Sequence, residues 1–182
     1  SIARALADFP KLLLLDEPFS NLDFQLKDNV FTYIRQVLLK ENASCILVTH
    51  QPEEALRYST NIAIMEEGRV VQYAAPETIY HKPLSLKIAR LFGKCFELEK
   101  SDFNITKGLK FKEGKIWLRP EDFSISVRGT EKHISVKIKN CLFASDKYEF
   151  IAQTQNRDTI SFYSKTPATE LNNECFLSVK TN

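Results

Sequence analysis

Two short apolar runs, separated by one amphipathic stretch, constrain the fold of this chain more than any other feature. The first run, residues 12–15, is four leucines and ends at Asp16-Glu17-Pro18, and the second, residues 45–49, ends at His50. Apolar runs of this length are typical of strands that are buried on both faces of a parallel sheet. Because Pro18 cannot donate a hydrogen bond to a neighbouring strand, we expect the first strand to stop there.

The segment between the two runs has helical spacing. Its apolar residues form one stripe on a helix of about 18 residues: Leu22, Leu26, Val30, Phe31, Ile34, Val37 and Leu38. Ser20-Asn21 offers an N-cap before it. Strand, helix and strand in this order predict a βαβ unit with parallel strands. Asp16, Glu17 and His50 then fall at the carboxyl ends of parallel strands, where ligands of open α/β sheets bind.

The remainder of the first half continues this mixed pattern. Pro52 with the acidic Glu53-Glu54 predicts the start of another helix. The apolar runs 62–65 and 70–73 flank Glu66-Glu67-Gly68-Arg69, which predicts a hairpin.

The second half has a different pattern, with short β-rich runs separated by Gly, Asn, Asp and Lys. Strands are predicted at residues 116–118, 123–127, 134–138, 149–152, 159–163 and 176–179. Several short strands with frequent turns favour a small barrel or sandwich. Residues 1–92 carry 10 basic and 11 acidic residues, and residues 93–182 carry 15 and 12. We place the domain boundary at Phe92-Gly93, where the pattern changes.

Composition excludes several classes of protein. A net charge of +2 is too balanced for a nucleic-acid footprint based on charge alone. The longest strictly apolar runs have four residues, far short of the roughly 20 that a membrane span needs. The four cysteines lack zinc spacing and favour reduced thiols, with disulfides as the alternative. The five glycines form no phosphate-binding loop, so we expect the chain to have no glycine-rich phosphate cradle of its own.

The residues after the two runs suit phosphate chemistry. Asp16 is placed to hold Mg²⁺, usually through water, and Glu17 to act as general base on an attacking water. His50 could steady the charge that develops on a phosphate. Each has a plainer interpretation, a strand entering a turn or a structural histidine. His81 and His133 have no ligand partners at metal spacing and are interpreted as surface or structural residues.

Taken together, these motifs are more specific than any one of them. LLLLDEP at residues 12–18, SNLD at 20–23, VTH at 48–50 and EEAL at 53–56 resemble, in this order and spacing, the ATP-binding subunits of ABC transporters. The resemblance implies that Asp16 is the Walker B aspartate, Glu17 the catalytic glutamate and His50 the switch histidine. It likewise places Ser20 to Asp23 on the D-loop, and residues 1–6 on the helix that follows the LSGGQ signature.

A second resemblance covers the rest of the chain. Residues 67–72, 76–80 and Pro83 are similar to the tail of importer-type subunits, and Leu118-Arg119-Pro120-Glu121-Asp122 to the motif that opens their regulatory module. The fold expected is therefore α/β, a partial P-loop NTPase core with parallel strands over residues 1–92. An OB-like regulatory β barrel follows over residues 93–182.

The family resemblance also implies cofactors and partners. These are ATP and Mg²⁺, a second copy of the subunit and membrane permease subunits, at the cytoplasmic face of the bacterial inner membrane. Walker A, the Q-loop and LSGGQ are absent from these 182 residues, and Ser1 is interpreted as a cut point. We therefore expect the chain alone neither to bind ATP tightly nor to hydrolyse it. Gln51, Asn61 and Ala74-Ala75 depart from the usual family residues but leave Asp16, Glu17 and His50 intact.

Two other functions remain open at the level of sequence. The chain could be a non-catalytic regulatory or ligand-sensing module that keeps a vestigial ATPase segment. A nucleic-acid-binding barrel would need a basic face interleaved with aromatics. The aromatic residues of the second half instead alternate with polar neighbours, as in the core of strands: Phe143, Tyr148, Phe150, Phe162 and Tyr163.

Overall fold

A computed structural model describes residues 10–104, 106, 108–126, 133–167 and 173–180. The chain forms two compact units, residues 1–92 and 93–182. The helix expected at residues 1–6 and the last residue of the strand expected at 123–127 lie outside the described residues. Within the part of the chain that is described, no helix has the length and apolar character that crossing a membrane requires.

The first unit begins with the predicted βαβ arrangement. Strand β1 is Leu12–Asp16, helix α1 is Phe24–Lys40 and strand β2 is Ser44–Val48. The two strands are parallel, as predicted, and their register runs from Leu12 opposite Ser44 to Asp16 opposite Val48. Helix α1 packs on one face of this pair, around four buried side chains: Leu13, Leu15, Phe19 and Ile34.

The other face of this two-stranded sheet is exposed. In β1 the side chains of Leu12 and Leu14 are 50% and 66% exposed, and in β2 those of Ile46 and Val48 are 53% and 55% exposed. The register places all four on one face because side chains alternate along a strand. The expectation that these strands are buried on both faces is therefore wrong for the described residues, where packed side chains cover only one face of the pair.

The rest of the first unit holds a hairpin and three short helices. In order these are helix α2 (Pro52–Tyr58), strands β3 (Ile62–Glu66) and β4 (Arg69–Ala74), and helices α3 (Pro76–His81) and α4 (Leu86–Leu91). The predicted helix start at Pro52 and the predicted hairpin are both observed. Glu67 and Gly68 turn the hairpin with φ of +49° and +76°, the left-handed conformations that a tight two-residue turn requires.

The described residues of the second unit form seven strands. They are β5 (Phe96–Glu99), β6 (Lys115–Leu118), β7 (Phe123–Ser126), β8 (His133–Ala144), β9 (Lys147–Thr154), β10 (Thr159–Ser164) and β11 (Glu174–Val179). Five of them form an antiparallel sheet in the order β10-β9-β8-β11-β7, and β5 pairs separately with β6. Fully buried aromatic rings fill its core, where Phe150 and Phe162 stack with centroids 5.2 Å apart.

The five-stranded sheet is open rather than a closed barrel. Its edge strands β10 and β7 approach each other to within 8 Å between Cα atoms. No ladder of hydrogen bonds joins these edges among the residues that the structure describes. The second half is therefore an antiparallel β structure, as predicted, while the closed barrel predicted for it is not observed.

Candidate functional site

Asp16 is the last residue of β1, opposite Val48 at the carboxyl end of the parallel pair. Its side chain is exposed. Its carboxylate forms no hydrogen bond or ion pair with any residue that the structure describes. Within the described part of the chain, both oxygens of Asp16 are therefore unengaged.

Glu17 leaves the strand in an unusual backbone conformation. Its φ is +44°, a left-handed conformation that residues other than glycine rarely adopt. Its backbone N–H donates to the carbonyl of Val48 at 2.9 Å, which extends the parallel ladder by one residue. The hydroxyl of Ser20 donates to the carbonyl of Glu17 at 3.1 Å. These two contacts hold the turn that carries the Glu17 side chain.

The side chains of Glu17 and His50 meet at the sheet edge. Oε1 of Glu17 accepts the backbone N–H of His50 at 2.7 Å and lies 2.6 Å from the imidazole Nδ1. With Glu17 ionised, Nδ1 must carry the proton, which fixes the ring tautomer. The second oxygen, Oε2, is buried and has no partner among the described residues. One oxygen thus orients His50 and the other stays uncommitted.

The loop that carries His50 is held by charged side chains. Lys27 of α1 donates to Oε1 of Gln51 at 2.8 Å and to Oε1 of Glu54 at 2.7 Å. The hydroxyl of Thr49 donates to Oε2 of Glu54 at 2.7 Å and accepts the N–H of Gln51 at 3.0 Å. The residues on both sides of His50 are therefore tied to one ion pair.

Sequence reasoning missed this ion pair. It treated Glu54 as a charge that favours the start of α2, and it gave Lys27 no role. The local sequence shows only that each residue is a charged side chain near the start of a helix, which does not indicate that the two side chains meet. Because Lys27 and Glu54 are 27 positions apart, only the packing of α1 beside α2 brings them together.

Asp23 has a structural role at the start of α1. Its carboxylate accepts the backbone N–H of Leu26 at 2.8 Å and caps the helix. The N-cap is therefore Asp23 rather than Ser20 or Asn21. The hydrogen bonds of Asp23 and Ser20 tie the segment between them to α1 on one side and to Glu17 on the other.

Tyr58 supports the segment that follows β1. Tyr58 packs edge-on against Phe19 at 5.7 Å and stacks on Phe31 at 4.2 Å between ring centroids. Its hydroxyl donates to Oδ1 of Asp28 at 2.7 Å. Burial, and next the hydrogen bond to Asp28, raise the pKa of Tyr58 to about 12. Phe19 follows the site directly, so this aromatic group supports the turn at Glu17.

The residues present fit a hydrated Mg²⁺ rather than a fully protein-bound metal. Among the described residues, no three His, Cys, Asp or Glu side chains cluster as metal ligands. Mg²⁺ keeps several waters and is commonly held by one or two carboxylates together with substrate phosphates. The unengaged carboxylate of Asp16 fits that pattern. The unpartnered Oε2 of Glu17 fits a role on water rather than on metal.

The chain has clear relatives among characterised proteins, although no protein-family model matches it. The Fe(3+) ions import ATP-binding protein FbpC of Haemophilus influenzae is 38% identical over 138 residues, which cover 69% of this chain and 39% of the relative. The sulfate/thiosulfate import ATP-binding protein CysA of Mesostigma viride is 32% identical over 152 residues, 79% of this chain and 44% of the relative.

A third relative matches a larger share of the chain. The spermidine/putrescine import ATP-binding protein PotA of Borreliella afzelii is 32% identical over 174 residues, 88% of this chain and 50% of the relative. The chain thus spans about two fifths to one half of the length of these relatives. The similarity to import ATP-binding proteins confirms the resemblance identified from the motifs. The chain belongs to the family of ATP-binding subunits of ABC importers.

Proposed function

We propose that this chain supplies the hydrolytic edge of the nucleotide site in an ATP-binding subunit of an ABC importer. The observation that carries the proposal is the contact between Glu17 and His50 at the carboxyl ends of two parallel strands. In open α/β sheets this edge binds ligands. The homology to import ATP-binding proteins supports ATP as that ligand.

Asp16 is the proposed protein ligand of Mg²⁺. Its exposed and unengaged carboxylate can bind the ion directly or through a coordinated water. When bound, Mg²⁺ neutralises charge on the phosphate oxygens. The rigid strand below Asp16 keeps the carboxylate in place, because β1 is hydrogen-bonded to β2 over five residues.

Glu17 is the proposed general base. Its Oε2 accepts a proton from water while the water oxygen attacks the γ-phosphorus. The bond from that phosphorus to the bridging oxygen breaks, and ADP leaves with the electron pair. Oε2 is buried and has no partner among the described residues, so its lone pairs are free to accept a proton from a water that enters with the nucleotide. Asp16 is the last residue of β1 and Glu17 lies in the left-handed turn that follows, so the proposal assigns the ion to the first and the water to the second.

His50 is the proposed stabiliser of charge on the γ-phosphate. Its Nδ1 is occupied by Glu17, which leaves Nε2 for a phosphate oxygen when the ring is protonated. The His50 side chain is 74% exposed and is therefore accessible to a ligand at the sheet edge. The same contact orients Glu17, so the two side chains act as one unit.

The larger assembly follows from the same family. We assign residues 1–92 to the C-terminal part of the nucleotide-binding domain and residues 93–182 to an OB-like regulatory domain. The near approach of the edge strands β10 and β7 supports an OB-like path of the chain. Ser20 and Asp23 belong to a D-loop that meets a second copy of the subunit. Permease subunits at the cytoplasmic face of the bacterial inner membrane complete the transporter.

The test is ATP hydrolysis by the protein at its natural length, with its permease subunits. We expect Mg²⁺-dependent release of phosphate, lowered about a hundredfold or more by Asp16→Asn. Asp146→Asn, an exposed residue of the β8–β9 turn, is the matched control and keeps the wild-type rate. We expect the 182-residue chain alone to release no phosphate. Absence of hydrolysis at natural length, or a wild-type rate for Asp16→Asn, would contradict the proposal.

A further inference from the structure

We propose that Lys27 and Glu54 form a positioning pair that holds His50 against Glu17. Its structural part depends only on contacts in this chain. Its effect on turnover rests on the function proposed above.

Both side chains are largely shielded from water, and the charged groups of both have hydrogen-bond partners. The side chains of Lys27 and Glu54 are 14% and 6% exposed. Oε1 of Glu54 accepts from Lys27 and Oε2 accepts from Thr49, so both carboxylate oxygens are engaged. A second ammonium hydrogen of Lys27 goes to the side chain of Gln51. A buried charge pair needs such added hydrogen bonds to offset the loss of its hydration.

These contacts fix the loop from one side while Glu17 fixes it from the other. Thr49 and Gln51 are bound to the pair through their side chains. His50, between them, is bound to Glu17 through both its backbone N–H and its imidazole. The backbone of His50, from which the imidazole extends, can move away from Glu17 only if the loop gives up one of these sets of contacts.

The pair also joins His50 to the segment before α1. The backbone N–H of Lys27 donates to the carbonyl of Asp23 at 2.9 Å, in the first turn of α1. Asp23 caps that helix and Ser20 binds the carbonyl of Glu17. A change at residues 20–23 therefore reaches the His50 loop through Lys27 as well as through Glu17.

A contact that only holds the two helices together would have a different effect. The same two helices are also joined by the hydroxyl of Tyr58, which donates to Oδ1 of Asp28 at 2.7 Å. This hydrogen bond does not involve residues 49–51. Tyr58→Phe therefore weakens the link between α1 and α2 while it leaves the Thr49 and Gln51 contacts in place. This variant is the matched control.

The experiment measures hydrogen exchange of the His50 backbone amide in the protein at its natural length. Thr49→Val removes the hydroxyl but keeps both charges, so it remains informative if Lys27→Met fails to fold. We expect Thr49→Val and Lys27→Met to speed exchange at His50 about tenfold. Lys27→Arg, which keeps the charge and donors, restores slow exchange. Tyr58→Phe leaves exchange at His50 unchanged.

Turnover gives the second readout. We expect Thr49→Val to lower kcat for ATP about tenfold with unchanged Kd for ATP, because a loosened base and its partner spend less time aligned. Wild-type exchange at His50 in both Thr49→Val and Lys27→Met would overturn the positioning pair. Altered exchange with no hydrolysis by the wild type would instead support the pair and contradict the proposed function.

Discussion

The Nδ1 atom of His50 lies 2.6 Å from Oε1 of Glu17, although 33 positions separate the two residues in the chain. The parallel register explains this contact. Asp16 and Val48 are opposite each other at the strand ends, so Glu17 and His50 follow at the same edge. The backbone bond from Glu17 to Val48 then carries the alignment one residue beyond β1. The contact is thus a consequence of strand pairing and not of local sequence.

Replacement of His50 tests how much this residue contributes to the rate of ATP hydrolysis. We expect His50→Gln to lower ATP hydrolysis at natural length about a hundredfold, because the amide cannot carry the positive charge of an imidazolium. His81→Gln is the control, since His81 is exposed at the end of α3. Phosphate release under saturating Mg-ATP measures both variants. Equal rates for the wild type and His50→Gln would remove His50 from the mechanism.

The hydroxyl of Tyr58 makes the free energy of unfolding of the first unit depend on pH in the alkaline range. Its pKa is about 12 in the folded protein and about 10 when the chain unfolds. Below pH 10 the hydroxyl is protonated in both states, and its stabilising contribution is fully present. As the pH rises from 10 toward 12, only the unfolded state loses the proton, so the free energy of unfolding falls.

Tyr58→Phe isolates this contribution. The phenyl ring keeps the contacts with Phe19 and Phe31 but loses the hydrogen bond to Asp28. We expect a loss of about 1 kcal/mol at pH 8. The difference in the free energy of unfolding between Tyr58→Phe and the wild type should become smaller as the pH rises above 10. Urea unfolding at a series of pH values measures this, and a gap that widens above pH 10 would contradict the account.

Much of this architecture could be predicted from the sequence. The two apolar runs that flank one helical segment predicted the parallel pair of strands. The turn at Glu67-Gly68 between two further apolar runs predicted the hairpin. Strand β5 was missed, because Phe96–Glu99 contains two acidic residues and its pairing partner β6 begins 16 positions after it ends. The predicted barrel is not closed, because the sequence pattern indicates where most strands lie along the chain but not how the edges of the sheet meet.

The candidate site was predictable only in part. The motif order identified Asp16, Glu17 and His50, since strand ends in a parallel sheet share one edge. The ion pair of Lys27 and Glu54 depends on how two helices pack, which no local pattern encodes. The run of four leucines could not reveal that Leu14 is exposed, because a continuous apolar run looks the same whether one or both faces are covered.

Substitutions on the two faces of β1 should differ in their effect on the free energy of unfolding. Leu13 is 2% exposed and Leu14 is 66% exposed, although they are neighbours. We expect Leu13→Ala to lower the free energy of unfolding of the first unit by about 2–5 kcal/mol, because it leaves a cavity against α1. Leu14→Ala should cost less than about 0.5 kcal/mol. Chemical unfolding of both variants measures the difference, and equal losses would contradict the assigned faces.

The exposed sheet face also makes a prediction about association. Leu12, Leu14, Ile46 and Val48 present a contiguous apolar surface, and such surfaces promote self-association. We expect the 182-residue chain to form oligomers at micromolar concentration. The double variant Leu14→Gln/Ile46→Thr should shift it toward monomer, and Met65→Gln, on the separate β3–β4 hairpin, is the control. Sedimentation velocity measures the change, and identical profiles for the wild type and double variant would contradict it.

The most direct measurement of the central claim is phosphate release and ATP binding by Glu17→Gln in the protein at its natural length. The amide keeps an oxygen that can accept the hydrogen bonds of His50, but it cannot take a proton from water. We expect ATP binding to be retained and hydrolysis to fall about a hundredfold or more, while Glu53→Gln, an exposed acid at the start of α2, keeps the wild-type rate. A wild-type rate for Glu17→Gln would contradict the assignment of this sheet edge as the hydrolytic site.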